Sequence, residues 1–338
     1  MRKASRILFL WALLLQGCGA SQDAQPAGDA VSASNQPVET DHFLSRQRTH
    51  NRWNRDLEPI LTIQSGQTVR VETRDASDGH FSPDSTTADV ASRDRGRIHP
   101  LTGPIRVEGA EPGDVLQVDI LGFELPEWGW TAVAPPGGFL AEELEGDYLH
   151  IWRFDKEAGY TEFKPGIRVP LRPFLGVIGL AWDEEGEFRT FPPRAQGGNM
   201  DIRHLTAGTT VYLPVALAGA LLSVGDGHAA QGDGEVAISA IECDLTARLR
   251  VTLRKDLDIQ EPHYEGPGFY ATTGFATSID EAARKATRYM LDYLSKHHNL
   301  TRHEAYVLAS AAVDLQINET VDMPHYLVSA RLPKAVFE

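Results

Sequence analysis

The sequence predicts a mainly β protein, with a sandwich-like or barrel-like body and a C-terminal α+β part. Most of the chain from Leu61 to Arg250 consists of short segments with alternating apolar residues, separated by turns rich in Gly, Pro and Asp. The last third contains two segments with helical periodicity, each opened by a helix-start signal. Helices and strands do not alternate regularly, which argues against a doubly wound parallel sheet.

The strands of the body are predicted from the period-two alternation of apolar residues, which places every second side chain on one sheet face. Five segments show the pattern most clearly: Thr68 to Thr73, Asp114 to Ile120, Thr210 to Val215, Glu235 to Ile241, and Ala247 to Leu253.

The C-terminal part is predicted to contain two helices and a final strand. Ser278 to Glu281 reads as a capping box, in which the first and fourth residues satisfy each other's backbone N–H groups. Thr301 to Glu304 reads as a second capping box, opening a helix that extends to about Val313. Tyr326 to Leu332 returns to strand alternation.

The N-terminus is predicted to be a lipoprotein-type signal peptide covering residues 1–17. A basic start is followed by the apolar run Ile7 to Leu15, which is too short to span a bilayer. The run ends in Leu-Gln-Gly-Cys, which resembles the bacterial lipobox, so we expect cleavage before Cys18 and acylation of its thiol. The alternative is an ordinary cleaved signal. The lipobox predicts an exported protein, lipid-anchored to the cell envelope through Cys18 and on its periplasmic face in a Gram-negative cell.

Beyond the signal, residues 18–40 are predicted to be a flexible tether, because they contain almost no large apolar residue. Residues 41–338 form the folded domain, with the β body ending near residue 255 and the α+β part covering 256–338. With Cys18 acylated, Cys243 has no partner for a disulfide within the chain. The net charge of -15 argues against nucleic acid as a partner.

One glycine-rich segment, GDGHAAQGDGE from Gly225 to Glu235, concentrates chemistry-bearing residues. It holds three acids and a histidine, with no Lys or Arg to neutralise them. Asp226 and His228 are two residues apart, so on an extended chain they face the same side. Imidazole with carboxylate suits zinc or a similar divalent metal. A solvated surface hairpin is an equally simple interpretation, whereas the spacing does not match a calcium loop.

Three other segments precede it in a fixed order: HPLTGP at 99–104, VEGAEPGD at 107–114 and GGNMD at 197–201. Together the four segments resemble the signature motifs of the acetamidase/formamidase family, and the likeness extends from about Thr49 to Phe337. The resemblance implies a mostly β fold with an α+β C-terminal part, assembly into a homo-oligomer, and hydrolysis of small linear amides to carboxylate and ammonia. It also implies a bound divalent metal, for which zinc is the preferred identity.

The family's site residues carry over onto matching positions. His99 stands at the histidine of HP-x-TGP, Asp201 at the aspartate of GGN-x-D, and Asp226, His228, Gln231 and Glu235 within the fourth motif. On this basis the metal ligands are expected to come from His99, Asp201, Asp226 and His228. Glu235 is the expected acid/base, and Gln231 or Asn199 would hold the amide. For His99 and Asp201, simple turn-capping roles remain alternatives.

The chain also departs from the family pattern. Gly79-His80, Ala181-Trp182 and the segment Glu127 to Trp130 differ from the residues expected there. The two tryptophans of the last segment are predicted to border the site, with plain packing as the alternative. These departures put substrate size in doubt, which leaves cyclic or larger amides open as substrates. A lipid-anchored β-rich binding protein without catalysis is the alternative function.

Overall fold

The alternating segments form an extensive set of β-strands in the computed structural model, which describes residues 39–337. The predicted signal peptide, Cys18 and nearly all of the predicted tether lie outside the described residues. The strands, in chain order, are β1 (His42–Leu44), β2 (Thr49–His50), β3 (Arg52–Trp53), β4 (Leu61–Ile63), β5 (Thr68–Thr73), β6 (Leu101–Val107), β7 (Val115–Glu124), β8 (Trp128–Val133), β9 (Tyr148–Asp155), β10 (Tyr160–Lys164), β11 (Ile167–Pro170), β12 (Phe174–Leu180), β13 (Phe188–Arg189), β14 (Pro193–Arg194), β15 (Gly197–Asn199), β16 (Thr210–Pro214), β17 (Leu222–His228), β18 (Leu245–Arg254), β19 (His263–Gly266), β20 (Phe269–Ala276), β21 (Asp314–Glu319) and β22 (Tyr326–Pro333).

The strands form two large sheets and two small ones. The larger sheet has nine strands in the order β1-β5-β18-β7-β16-β19-β20-β22-β21. The second has seven, in the order β14-β15-β12-β17-β6-β2, with β4 pairing in parallel to β6. A four-stranded sheet, β11-β10-β9-β8, and the pair β13-β3 complete the set. The predicted mainly β fold is therefore confirmed.

The main core lies between the two large sheets. The nine-stranded sheet contributes Val69 and Val118 to it, and the seven-stranded sheet contributes Ile105, Ile178 and Val224. All of these side chains are fully buried. Each contributes roughly 1.5–3 kcal/mol through removal of apolar surface from water. This packing fixes the backbone of β12 and β17, the two strands on which the site is built.

Two helices cover one end of the nine-stranded sheet. Helix α1 (Ile279–His298) and helix α2 (Arg302–Ala312) pack with β20 and β22, burying Met290 and Leu294 against Leu332. Thr301 and Glu304 form the predicted capping box. At the first helix only half of the prediction is realised: Ser278 accepts a hydrogen bond from the N–H of Glu281. The Glu281 carboxylate instead pairs with Arg288, about two turns further along the helix.

The C-terminal strands are part of the body's sheet. The predicted boundary near residue 255 falls in the connection between β18 and β19, but β19 to β22 extend the same nine-stranded sheet. Four short 3-10 turns also occur: Thr87–Ser92, Arg95–Arg97, Ala141–Glu143 and Lys334–Phe337. No helix in residues 39–337 is long and apolar enough to cross a membrane.

One strand prediction was wrong. The alternating segment from Glu235 to Ile241 forms turns, because Glu235 and Ile238 adopt left-handed backbone conformations that no regular strand contains. The N–H of Ile238 donates to the carbonyl of Glu235 and closes a turn. The regular strand here lies earlier: β17 includes Gly225 to His228, so these residues are not a surface hairpin.

Candidate active site

The candidate site is built on the centre of the seven-stranded sheet. Asp226 and His228 belong to β17, which pairs with β12 on one side and β6 on the other. Both side chains lie over Gly176 of β12. A Cβ at Gly176 would stand 2.5 Å from Asp201 Oδ1, 2.6 Å from Asp226 Oδ2 and 2.9 Å from His228 Cε1. The missing side chain of Gly176 therefore provides the space in which these groups meet.

The backbone at the site adopts sparsely populated conformations. His99 (φ 51°), Asp201 (φ 46°), Asp226 (φ 56°) and Glu235 (φ 43°) are all left-handed. They are four of the nine non-glycine residues with positive φ in residues 39–337. Each such residue costs on the order of 1–3 kcal/mol, and such strain is concentrated at functional sites in proteins.

His228 is the centre of the cluster and is fully buried. Its Nε2 atom lies 3.2 Å from Glu242 Oε2, 3.5 Å from Asp226 Oδ2 and 4.0 Å from Glu235 Oε1. Its Nδ1 atom lies 3.7 Å from Asp201 Oδ1. The remaining predicted ligand, His99, lies with Nε2 3.9 Å from Asp226 Oδ2 and stacks on the ring of Phe191. The structure thus brings His99, Asp201, Asp226 and His228 together.

Gln231 fixes the orientation of the central imidazole. Its Nε2 donates to the carbonyl oxygens of Asp201 (2.8 Å) and Asn318 (3.3 Å), so its Oε1 must face His228. Oε1 lies 3.0 Å from His228 Nδ1, and because Oε1 can only accept, Nδ1 carries the hydrogen. In the neutral imidazole Nε2 is then the free electron-pair donor, aimed at the acids.

Burial dominates the protonation of most acids in the cluster. It raises the pKa of Glu242 to about 8 and holds the pKa of Glu235 well above its ordinary value, where the charge of Asp201 adds to the effect. Burial also raises the pKa of Asp201, and it raises that of Asp322 well above the usual range, where Asp201 and Glu319 add to it. These carboxyl groups are therefore able to hold protons near neutral pH.

Asp226 and the two histidines respond mainly to one another. Burial would raise the pKa of Asp226, but the charges of His99 and His228 outweigh it and lower the pKa. Burial would lower the pKa of His228, but Glu242 and Asp226 outweigh it and raise that pKa well above 6.5. For His99 burial prevails over Asp226 and Asp201, and its pKa is lowered.

The donor set fits a divalent metal ion. One ligand atom each from Asp201, Asp226 and His228 can be chosen within 4.8 Å of one another, and the same holds for two sets that include Glu235. Among residues 39–337, both carboxylate oxygens of Asp201, Asp226 Oδ1, His228 Nε2 and Glu242 Oε2 are buried without a hydrogen-bond partner. Buried polar atoms are seldom left unsatisfied, and carboxylate with imidazole is a ligand set suited to zinc.

A pocket of ≈ 1130 Å³ opens onto this cluster. His99, Asn199, Asp226 and Glu235 line it, whereas Asp201, His228 and Gln231 lie behind its wall. Asn199 Nδ2 donates to Asp322 Oδ2 (2.7 Å), while Asn199 Oδ1 is buried with no partner among the described residues. Asn199 therefore leaves an unpartnered amide oxygen buried in the pocket wall.

Sequence reasoning missed three acids of the site. Glu242 lines the pocket and its Oε1 accepts from the N–H of Ala240. Asp322 also lines it, and Glu319 accepts from the N–H groups of Val321 and Asp322. The available signal was an acid within an otherwise apolar or small-residue run, such as Ile241-Glu242-Cys243. Such a residue is rarely buried without a partner.

Trp128 and Trp130, in the segment that differs from the family pattern, have different surroundings. Trp130 is buried in β8 and lines the pocket, packing against Phe81 and donating from Nε1 to Asp75 Oδ1 (3.1 Å). Trp128 is only partly buried and does not line the pocket. The backbone of Trp130 pairs with that of Glu242, which in turn bridges to His228. These bridges attach the four-stranded sheet to the site.

The chain is similar to known proteins over most of its length. The model of the acetamidase/formamidase family matches residues 37–187 and 182–338. A formamidase of Methylophilus methylotrophus is 29% identical over 364 residues, covering 86% of this chain and 89% of that protein. The crystal structure of an acetamidase from Bacillus halodurans superposes with a TM-score of 0.82 at 34% identity, covering 87% of this chain and 98% of the other.

A second solved structure gives the same result. A predicted acetamidase/formamidase from Thermoanaerobacter tengcongensis superposes with a TM-score of 0.82 at 33% identity, over 87% of this chain and 96% of that one. The resemblance carried by the four sequence motifs is thereby confirmed over nearly the whole folded region. The chain belongs to the acetamidase/formamidase family.

Proposed function

We propose that this protein hydrolyses the C–N bond of small linear amides such as formamide and acetamide. One water adds across the bond, so that RCONH₂ and H₂O give RCOO⁻ and NH₄⁺. The observation that carries the proposal is the buried cluster of acids around His228 at the end of an open pocket. Relatives named formamidase and acetamidase support it.

A divalent metal, for which zinc is the preferred identity, would be held by Asp201, Asp226 and His228, with His99 beside them. When bound, it would supply Lewis-acid polarisation of a carbonyl oxygen. The hydrogen bond from His228 Nδ1 to Gln231 would keep Nε2 available as a ligand. Gln231 is thus a positioning residue, since its amide group is already committed to His228 and to two backbone carbonyls.

Glu235 carries the proton. It lines the pocket and lies 4.0 Å from the central imidazole, so its carboxyl group reaches both the pocket and the cluster. As a carboxylate it takes a proton from the attacking water, and as a carboxylic acid it returns that proton to the departing nitrogen. General acid–base transfer of this kind contributes typically about 10²–10⁴-fold in rate.

Asn199 holds the substrate amide. Its Nδ2 is committed to Asp322, which leaves Oδ1 as an acceptor without a partner in the pocket wall. An N–H of the substrate amide can donate to this oxygen, which orients the nitrogen towards the acids. The neighbouring Glu242, which also lines the pocket, provides a second acidic contact.

Ammonia release from formamide, acetamide and propionamide tests the proposal directly, with metal content measured on the same sample. We expect turnover together with about one bound divalent metal per chain. Glu235→Gln should lower kcat by roughly 10²–10⁴-fold while retaining the metal. Glu58→Gln, a change of an exposed glutamate outside the pocket, is the matched control and should keep wild-type rates.

Two results would contradict parts of this proposal. A metal-retaining Glu235→Gln variant with an unchanged rate would remove Glu235 from the proton transfer. A protein that binds amides without releasing ammonia, with or without metal, would favour the alternative of a non-catalytic binding protein.

We also propose that the protein is exported and anchored to the cell envelope through lipidated Cys18, and that it assembles as a homo-oligomer. The lipobox-like end of the N-terminal apolar run supports the anchor. In the expressing cell, Cys18→Ser should move the protein from the membrane fraction to the soluble fraction. Continued sedimentation with membranes would count against lipidation, and a monomeric mass in light scattering against assembly.

A further inference from the structure

The pocket is much larger than a small amide requires. Its ≈ 1130 Å³ exceeds the 300–1,000 Å³ typical of sites for drug-sized ligands, whereas formamide has only three heavy atoms. The acids and imidazole of the site occupy one region of its wall. The rest of the pocket offers volume and lining side chains that a molecule as small as formamide would not contact.

Much of this additional wall is cationic. Five arginines line the pocket: Arg52, Arg93, Arg95, Arg189 and Arg194. None of the five forms an ion pair within 4.0 Å among residues 39–337. Five acids line the same pocket, but four of them, Asp226, Glu235, Glu242 and Asp322, belong to the acid cluster. Apart from that cluster the wall carries five arginines and one acid, Glu187, an excess of positive charge that suits an anionic ligand.

Arg93 is the most informative of the five. It is half-buried, its guanidinium carbon lies 5.8 Å from the centre of the Trp130 ring, and its Nε is buried without a hydrogen-bond partner among the described residues. Burial, together with the neighbouring Arg95, lowers the pKa of Arg93, although the group stays charged. A partly desolvated cation with no acid within 4.0 Å is unfavourable, and a bound anion would relieve that cost.

Arg93 also lies near the reacting end of the pocket. It lines the same pocket as His99 and Glu242. Trp130, against which it stands, is joined by backbone pairing to Glu242. Arg93 is therefore separated from the acids of the site by a short span along the same wall.

We infer that the preferred substrate is a linear amide whose acyl chain ends in a carboxylate, with the carboxylate bound by Arg93 and the amide facing Glu235 and Asn199. This inference rests on the proposed amide hydrolysis and specifies its substrate class. A guanidinium binds a carboxylate through two parallel hydrogen bonds, which fixes orientation as well as adding affinity. The neutral amide end of the same molecule approaches the acids without like-charge repulsion.

The test compares matched pairs of amides that differ only in the terminal group. Malonamate, succinamate and glutaramate carry the carboxylate, and propionamide, butyramide and valeramide replace it with a methyl group. We expect at least one acid-bearing amide to exceed its neutral partner in kcat/KM by about 10- to 100-fold, the range of a charge-assisted hydrogen-bonded contact. The acyl-chain length of the amide with the largest ratio of kcat/KM reports the distance from Arg93 to the reacting carbon.

Two variants assign the preference to Arg93. Arg93→Gln should bring the ratio of kcat/KM for the acid-bearing and neutral amides close to one, whereas Arg93→Lys should keep part of the preference. Arg284→Gln, an exposed arginine of α1 paired with Asp280, changes net charge equally and should leave the ratio as in wild type. Thermal unfolding of each variant separates loss of the contact from loss of the fold.

The outcomes are distinguishable from failure of the proposed function. Turnover of formamide or acetamide without any preference for an acid-bearing amide would overturn the inference and leave amide hydrolysis intact. A preference that survives in Arg93→Gln would also overturn it. Absence of ammonia from every amide, neutral or acidic, would instead refute the proposed function itself.

Discussion

Gly176→Ala is the most direct perturbation of the proposed site, because it adds one methyl group where three functional side chains converge. The new Cβ would lie 2.5 Å from Asp201 Oδ1 and 2.6 Å from Asp226 Oδ2, where ordinary van der Waals contact begins at 3.4 Å. Both oxygens would therefore have to retreat by about 0.8 Å or more. Gly176 has no positive φ, so the backbone itself accepts alanine and the effect is purely steric.

The expected consequences differ for stability and for activity. Overpacking a buried position destabilises by about 1–3 kcal/mol, which corresponds to roughly 2–5 °C in Tm for a domain of about 300 residues. A displacement of about 1 Å at reacting groups lowers rates by roughly a hundredfold. We therefore expect a folded protein with a modestly lower Tm and about 100-fold lower kcat/KM for formamide, together with reduced metal content.

The assay measures ammonia release, metal content and thermal unfolding on the same preparations. Gly268→Ala is the control, since a Cβ there meets nothing within 4 Å and the backbone is not left-handed. Gly268→Ala should match wild type in all three measurements. A Gly176→Ala protein with wild-type activity and metal content would refute the placement of Asp201 and Asp226 over this strand.

Two further predictions concern residues around the site and in the fold. Gln231→Ala removes the acceptor for His228 Nδ1 and should lower metal affinity by about 10–100-fold, measured by competition with a chelator; unchanged affinity would contradict the positioning role. His263 is buried, and burial lowers its pKa to about 3, so the folded state excludes a proton that the unfolded chain binds below pH 6.5. Stability should therefore fall as pH drops, by about 2 kcal/mol between pH 7 and pH 5 from this residue, and urea unfolding of His263→Gln should show a correspondingly smaller loss.

Elements of the fold could be predicted from the sequence where interactions between residues close together in the chain determine them. Strands β5, β16 and β18 follow from period-two alternation, and the second helix follows from the capping box at Thr301. The segment after Gly234 shows the limit of that reasoning. Its alternation is as regular as that of β5, yet the left-handed backbone at Glu235 and Ile238 bends it into turns.

The residues of the candidate site also fall into those that the sequence could identify and those that it could not. The segment from Gly225 to Glu235 could be singled out because glycines and unneutralised acids mark it in the sequence, and His99 and Asp201 followed from the resemblance to the family. Glu242, Asp322 and Gly176 could not, because their importance depends on what other strands bring next to them. For Gly176 the decisive fact is that a Cβ there would stand 2.5 Å from an oxygen of Asp201, a residue 25 positions away in the chain. Local periodicity contains no information about such an approach.

The pairing of Gly234 with Glu319 has a consequence for the order in which the molecule matures. It joins segments 85 positions apart, and the residues that support the cluster, Asn318 to Asp322, are among the last twenty-one of the chain. Contacts between segments this far apart require closure of a long loop before they stabilise the fold. The pocket is therefore incomplete until β21 and β22 have docked, so a ligand that needs the whole pocket binds only after that step.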